Sequence, residues 1–155
     1  RVRSRSSPSA RAVPSASDPG CPFCRIAARA EPAHLVLDEP EHVAFLDARP
    51  LFHGHTLLIP RRHRETLWDL PEDEVGPLFT AARRLSVAVR EAMGAQGAFV
   101  AINNVVSQSV PHLHVHVVPR VRKDGLRGFF WPRTKYESEE QAADVARRIA
   151  AQLGG

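Results

Sequence analysis

Cysteine is scarce in this chain. Only Cys21 and Cys24 stand among 155 residues, whereas a disulfide-stapled secreted domain carries more. The chain is therefore read as belonging to a reducing, cytoplasmic setting. Long apolar runs are missing too, so no segment is predicted to span a membrane. Residues 1–19, RVRSRSSPSARAVPSASDP, lack the continuous apolar stretch of a signal peptide. Their Ser, Pro, Ala and Arg content predicts a disordered tail. The same composition suits a transit peptide or residues upstream of a natural start. No internal repeat is seen.

Charge is also in short supply where it would matter for nucleic acid. The formal net charge is +4. The tail holds Arg1, Arg3, Arg5 and Arg11 against Asp18 alone, and the remainder has 17 basic and 16 acidic residues. Residues 20–155 are thus nearly neutral, and the high isoelectric point of 9.8 is no argument for a nucleic-acid partner. The length suits one domain with one core.

Histidine is what the chain does have. His112, His114 and His116 alternate in VPHLHVHVVPR, among apolar, mostly β-branched neighbours that predict a strand over 113–118. Side chains of a strand alternate between faces. The three imidazoles share one face, and Leu113, Val115 and Val117 take the other. Imidazole serves as nucleophile, proton carrier or metal ligand near neutral pH; three satisfied histidines on a half-buried strand are the plain alternative. Cys21 and Cys24 have the spacing of a metal knuckle, followed by a short helix ending near residues 31–32.

Strands are predicted at 34–38, 42–47, 56–59 and 98–103. Asp69 is read as the cap of a helix over about 72–93. Val75, Leu78, Phe79, Ala82, Leu85, Val89 and Met93 form its buried face, Gly76-Pro77 is a possible kink, and Gly94 is the stop. Ser138–Gln141 matches a capping box. It opens a last helix buried through Ala142, Val145, Ala146, Ile149 and Leu153. Short-looped strands followed by helices give an α+β fold with an antiparallel sheet.

Five segments together resemble the histidine triad family of nucleotidyl hydrolases and transferases: CPFCRI, VAFLDARP, GHTLLIPRRH, SQSVPH and HLHVHVV. The resemblance runs from Cys21 to about Leu153. It implies a domain over 20–155, with about five antiparallel strands, two main helices and a short amino-terminal helix, as a homodimer. It implies cleavage at the α-phosphate of purine nucleotide conjugates, phosphoramidates or dinucleoside polyphosphates. His114 would be the nucleophile of a nucleotidyl-histidine intermediate, with His116, His112 and His55 completing the site. Asp47 would bind ribose, and Asn103, Asn104, Gln108 and Ser109 the phosphate region. Phe23, Ile26, Phe45 and Leu46 are candidates to sandwich the base or to be plain core. A structural zinc would sit on Cys21, Cys24, His63 and His112, with no organic cofactor.

The sequence departs from the family at INNVVSQSV, which is a few residues short and has Ser107 where glycine is usual. Glycine lets backbone approach phosphate, so the departure leaves a non-catalytic nucleotide sensor as the alternative. A catalytic ion held by all three triad histidines is a third reading. In the segment GFFWPRTKY, Trp131 is expected at a dimer interface and Arg133 or Lys135 near the leaving group.

Overall fold

The β-branched and apolar runs become five antiparallel strands: β1 (Leu35–Asp38), β2 (His42–Leu46), β3 (Thr56–Pro60), β4 (Gly97–Ile102) and β5 (Val115–Arg120). They line up in the order β1-β2-β3-β5-β4. Three helices accompany them, α1 (Pro22–Ala27), α2 (Glu72–Ala92) and α3 (Glu139–Leu153). The structure, a computed structural model, describes residues 17–126 and 134–153. Residues 1–16 of the tail, with Trp131 and Arg133, lie outside the described residues.

The chain divides into two units, 1–122 and 123–155. The first holds the sheet with α1 and α2. Period-two alternation sorts its core onto two faces. On one face Ala44, Leu58, Leu113, Val115 and Val117 meet Leu78, Ala82, Leu85 and Val89 of α2. On the other, Val43, Phe45, Leu57 and Ile59 meet Phe23, Cys24 and Ala27 of α1. The second unit contains α3, whose start is capped as expected: Ser138 Oγ accepts from Gln141 N at 3.1 Å. The reciprocal bond is shifted by one residue, with Gln141 Oε1 accepting from Glu137 N.

Several expectations are corrected. The predicted strand over 113–118 is β5, Val115–Arg120, so His112 and His114 precede it. It tolerates Pro119 because pairing to β3 stops at Val117, where no ladder donor is missed. Asp69 does not cap α2, whose cap position is Pro71. Asp69 is instead used one element earlier: its carboxylate accepts from Thr66 N and Oγ1 to close a 3-10 turn, Leu67–Asp69, that the sequence reading lacks. Helix α2 runs through Pro77. Phe79 and Met93 are exposed, not buried, and Ala81 takes a core position. Met93 packs instead on Gly54, where φ is +93° and an added Cβ would lie 2.6 Å from the Met93 side chain. The buried face predicted for α3 is also wrong. None of its residues is buried, and Ile149 and Leu153 are 61% and 83% exposed. Periodicity marks an apolar stripe without saying what covers it.

Candidate active site

The face of the sheet under α1 carries the histidines. Leu113, Val115 and Val117 point into the α2 core, as alternation requires, so His112, His114 and His116 face the other way. They are placed by three different partners. His112 is fully buried. Its Nε2–H donates to the Pro60 carbonyl at 2.9 Å, which leaves Nδ1 bare, 3.4 Å from Cys21 Sγ and 3.5 Å from Cys24 Sγ. His63 Nδ1 lies 3.3 Å from Cys24 Sγ. These separations match the edge of a tetrahedron of sulfur and nitrogen around zinc, about 3.5 Å from standard bond lengths. The four donors form one cluster, and the Pro60 carbonyl is the kind of outer partner that fixes a ligating imidazole. The residues present therefore fit a closed, structural Cys2His2 site.

His114 Nδ1–H donates to the His112 carbonyl at 2.7 Å. A carbonyl only accepts, so the ring proton is held on Nδ1 and Nε2 keeps its lone pair. Burial lowers the pKa of His114, which keeps the ring neutral near pH 7. Phe23 meets it edge-on, ring centroids 5.2 Å apart. The first turn of α1 thus packs a side chain against this imidazole from between the two cysteines.

His116 is fixed through His55. Leu51 N donates to His55 Nδ1 at 3.1 Å, so the proton of neutral His55 is on Nε2. That nitrogen is 3.0 Å from His116 Nδ1 and donates to it. His116 is left with its own proton on Nε2. Burial, then the neighbouring His114 and His55, pushes the pKa of His116 down to about 4. Burial also lowers His55, against the opposing pull of Asp47. Asp47, His55 and His116 bring three potential ligand atoms together. Yet a metal on His55 Nε2 would have to displace the proton that Leu51 N–H keeps there. The triad does not converge on one ion: His112 Nδ1 faces the cysteines and His116 Nδ1 faces His55.

A cleft of about 800 Å³ opens onto this face, with Phe23, Phe45, Asp47, Ser109, His114 and His116 in its lining. Asp47 Oδ1 accepts from Arg49 N at 2.9 Å, which caps the turn. Its Oδ2 lies 3.6 Å from His55 Nε2. Ile26 and Leu46 line the cleft too. Asn103, Asn104 and Gln108 are placed differently. Asn103 Nδ2 donates to the Ser107 carbonyl. Asn104 Oδ1 accepts from Leu67 N. Gln108 Nε2 donates to the Glu65 carbonyl while its Oε1 accepts from Val105 N. All three stitch the loop to itself or to the segment before α2. Lys135 is exposed in the second unit. The partners that sequence reasoning misses are backbone groups, at Leu51, Pro60 and His112, which leave no residue-type signal. It also misses Glu31, His34 and Arg49 at the cleft.

The HIT domain family model matches residues 28–123. A HIT-like protein of Saccharolobus solfataricus is 36% identical over 136 residues, covering 86% of this chain and 97% of that one. The adenosine 5'-monophosphoramidase of Saccharomyces cerevisiae is 30% identical over 144 residues, covering 92% and 89%. Among solved structures, a zinc-bound histidine triad family protein from Mycobacterium smegmatis superimposes with a TM-score of 0.66 at 34% identity, covering 86% and 95%. The match spans more than half of the chain and agrees with the sheet, the alternating histidines and the Cys2His2 cluster: this chain belongs to the histidine triad (HIT) family.

Proposed function

We propose that the protein hydrolyses purine nucleotide conjugates, phosphoramidates or dinucleoside polyphosphates, at the α-phosphate and releases a nucleoside monophosphate. The observation that carries this reading is the His114–His112 carbonyl bond, which leaves His114 Nε2 as a free lone pair on a ring that lines the cleft. His114 Nε2 attacks the α-phosphorus, forming a P–N bond as the bond from phosphorus to the leaving group breaks. His116 Nε2–H donates a hydrogen bond to the departing atom, which takes its proton from solvent. Water then attacks the phosphorus of the nucleotidyl-histidine, the P–N bond breaks, and the water proton leaves to solvent, which frees the monophosphate and restores neutral His114. Asp47 accepts hydrogen bonds from the ribose hydroxyls through the oxygen not used by the turn. Ser109 and nearby backbone N–H groups stabilise charge on the phosphate. The phosphoramidase named among the relatives supports the reaction class.

Product analysis tests the reading. Wild type and His114→Ala are incubated with adenosine phosphoramidate, an AMP-lysine amidate and diadenosine tri- and tetraphosphate. Wild type is expected to release AMP, and the variant to lose at least ~10³-fold in rate while still binding AMP. Binding of AMP by wild type without turnover of any compound would make the protein a sensor instead.

Cys21, Cys24, His63 and His112 hold one zinc in this reading. The ion closes the knuckle, binding α1 to the segment that carries His114, and takes no part in bond making. Metal analysis is expected to find one zinc per chain, retained by His114→Ala and lost by Cys24→Ser.

A further inference from the structure

We propose that Glu31 makes this cleft select guanine over adenine. The inference rests on the nucleotide reading above and goes beyond it by naming the base. The cleft has apolar walls at Phe23, Ile26, Phe45 and Leu57, and its lining holds two carboxylates, Asp47 and Glu31. Asp47 follows β2 and lies beside His55, at the reacting end. Glu31 comes from the connection between α1 and β1, next to Pro32 and Ala33 of the same lining. Glu31 thus brings a charged acceptor to the rim of these apolar walls.

Glu31 is held in place. Its Oε2 accepts from Arg25 Nε at 2.9 Å. Arg25 is itself anchored, donating through Nη1 to the carbonyls of Pro19 and Gly20 at 3.1 Å each. Glu31 N reaches the Arg25 carbonyl at 3.3 Å. Arg25 therefore takes one lone pair of one oxygen, and among the described residues no hydrogen bond to Oε1 is formed. The side chain is 41% exposed, so a base entering the cleft can reach it.

The purine edges differ in what they offer a carboxylate. Guanine presents two adjacent donors, N1–H and the 2-amino group, which suit the two oxygens of a carboxylate. Adenine presents one donor, the 6-amino group, beside the N1 lone pair, which repels an anion. Hypoxanthine keeps N1–H and lacks the 2-amino group. A bidentate contact of this kind discriminates between bases by about 10-fold or more, and the partial exposure of Glu31 holds this site to the lower end.

The test is calorimetric titration of GMP, IMP and AMP into the full chain, for wild type, Glu31→Gln and Glu31→Leu, with melting temperatures recorded alongside. Wild type is expected to bind GMP about 10-fold more tightly than AMP, with IMP between them. Glu31→Gln is expected to shrink the ratio to below about 3-fold, and Glu31→Leu to abolish it. Equal binding of GMP and AMP by wild type overturns the proposal and leaves the nucleotide reading standing; this comparison needs no variant to fold. A guanine preference that survives in Glu31→Leu also overturns it. Binding of none of the three nucleotides overturns the nucleotide reading and this inference together.

Discussion

At the scale of single residues, the site works by fixing protons on chosen nitrogens. Three buried imidazoles of the site each have one ring nitrogen committed to a main-chain neighbour: His112 to the Pro60 carbonyl, His114 to the His112 carbonyl and His55 to Leu51 N–H. The histidines themselves are legible in the sequence, because alternation on a strand puts them on one face. Their tautomers are not, because the deciding groups are main-chain atoms that every residue type carries. Keeping these rings neutral has a price in acid. The folded pKa of His116 is about 4, below the ordinary value of about 6.5 for an unfolded histidine. The unfolded chain therefore binds a proton that the folded one refuses as pH falls through this window. The contribution of His116 to stability is complete above about pH 6.5 and drains away towards pH 4, by roughly 1–3 kcal/mol. Chemical denaturation of wild type and His116→Gln across that range should show the wild-type slope reduced in the variant. Identical slopes would contradict the assignment.

At the scale of elements, the segment joining β4 to β5 carries two of the four non-glycine residues with positive φ among the described residues. Val105 and Ser107 both have positive φ, +68° and +62°, in the region that favours glycine. Ser107, where glycine is usual, thus adopts a φ that glycine would take without strain. Asn103, Asn104 and Gln108 hold the turn with side-chain hydrogen bonds. These are the residues that sequence reading gave to the nucleotide. Motif matching reports that an amide stands at a position; it does not report that the amide also helps to close the loop. Val105 is β-branched and 64% exposed, so its side chain returns little packing for the strain. Val105→Gly is expected to raise stability by about 0.5–1 kcal/mol, read as a higher midpoint in urea. A lower midpoint would show that the valine is needed where it stands. The helices teach a related lesson. The stripe on α3 is as regular as that on α2, yet only α2 has a covered face, because cover comes from distant parts of the chain.

At the scale of the whole molecule, β4 is the last strand in the order of the sheet, and its Val100 is 45% exposed. Terminal strands are where a sheet can be extended by another chain. We expect two copies to join there edge to edge, and gel filtration with light scattering should return twice the 17.1 kDa chain mass. A mass of one chain would remove the homodimer from the reading. The antiparallel sheet and the alternation of its faces were within reach of the sequence; the order that sets β5 between β3 and β4 was not, because α2 lies between β3 and β4 and no short loop fixes their pairing. The assembly enters the sequence reading only through the family resemblance, since edge exposure depends on which strand closes the sheet.

The two faces of that sheet also carry different duties. Leu58, Leu78, Leu85 and Val115 pack on the α2 side, away from every histidine of the site. Phe23, Phe45 and Leu57 pack on the α1 side and line the cleft as well. Evolution can therefore revise one side without disturbing the other. Substitutions on the α2 side trade only against folding, about 2–5 kcal/mol for Leu85→Ala, and compensating changes there are free to accumulate. Those on the α1 side are judged twice, for folding and for what the cleft admits. Divergence among chains of this architecture should concentrate on the α2 side, and new substrate preferences should arise on the α1 side.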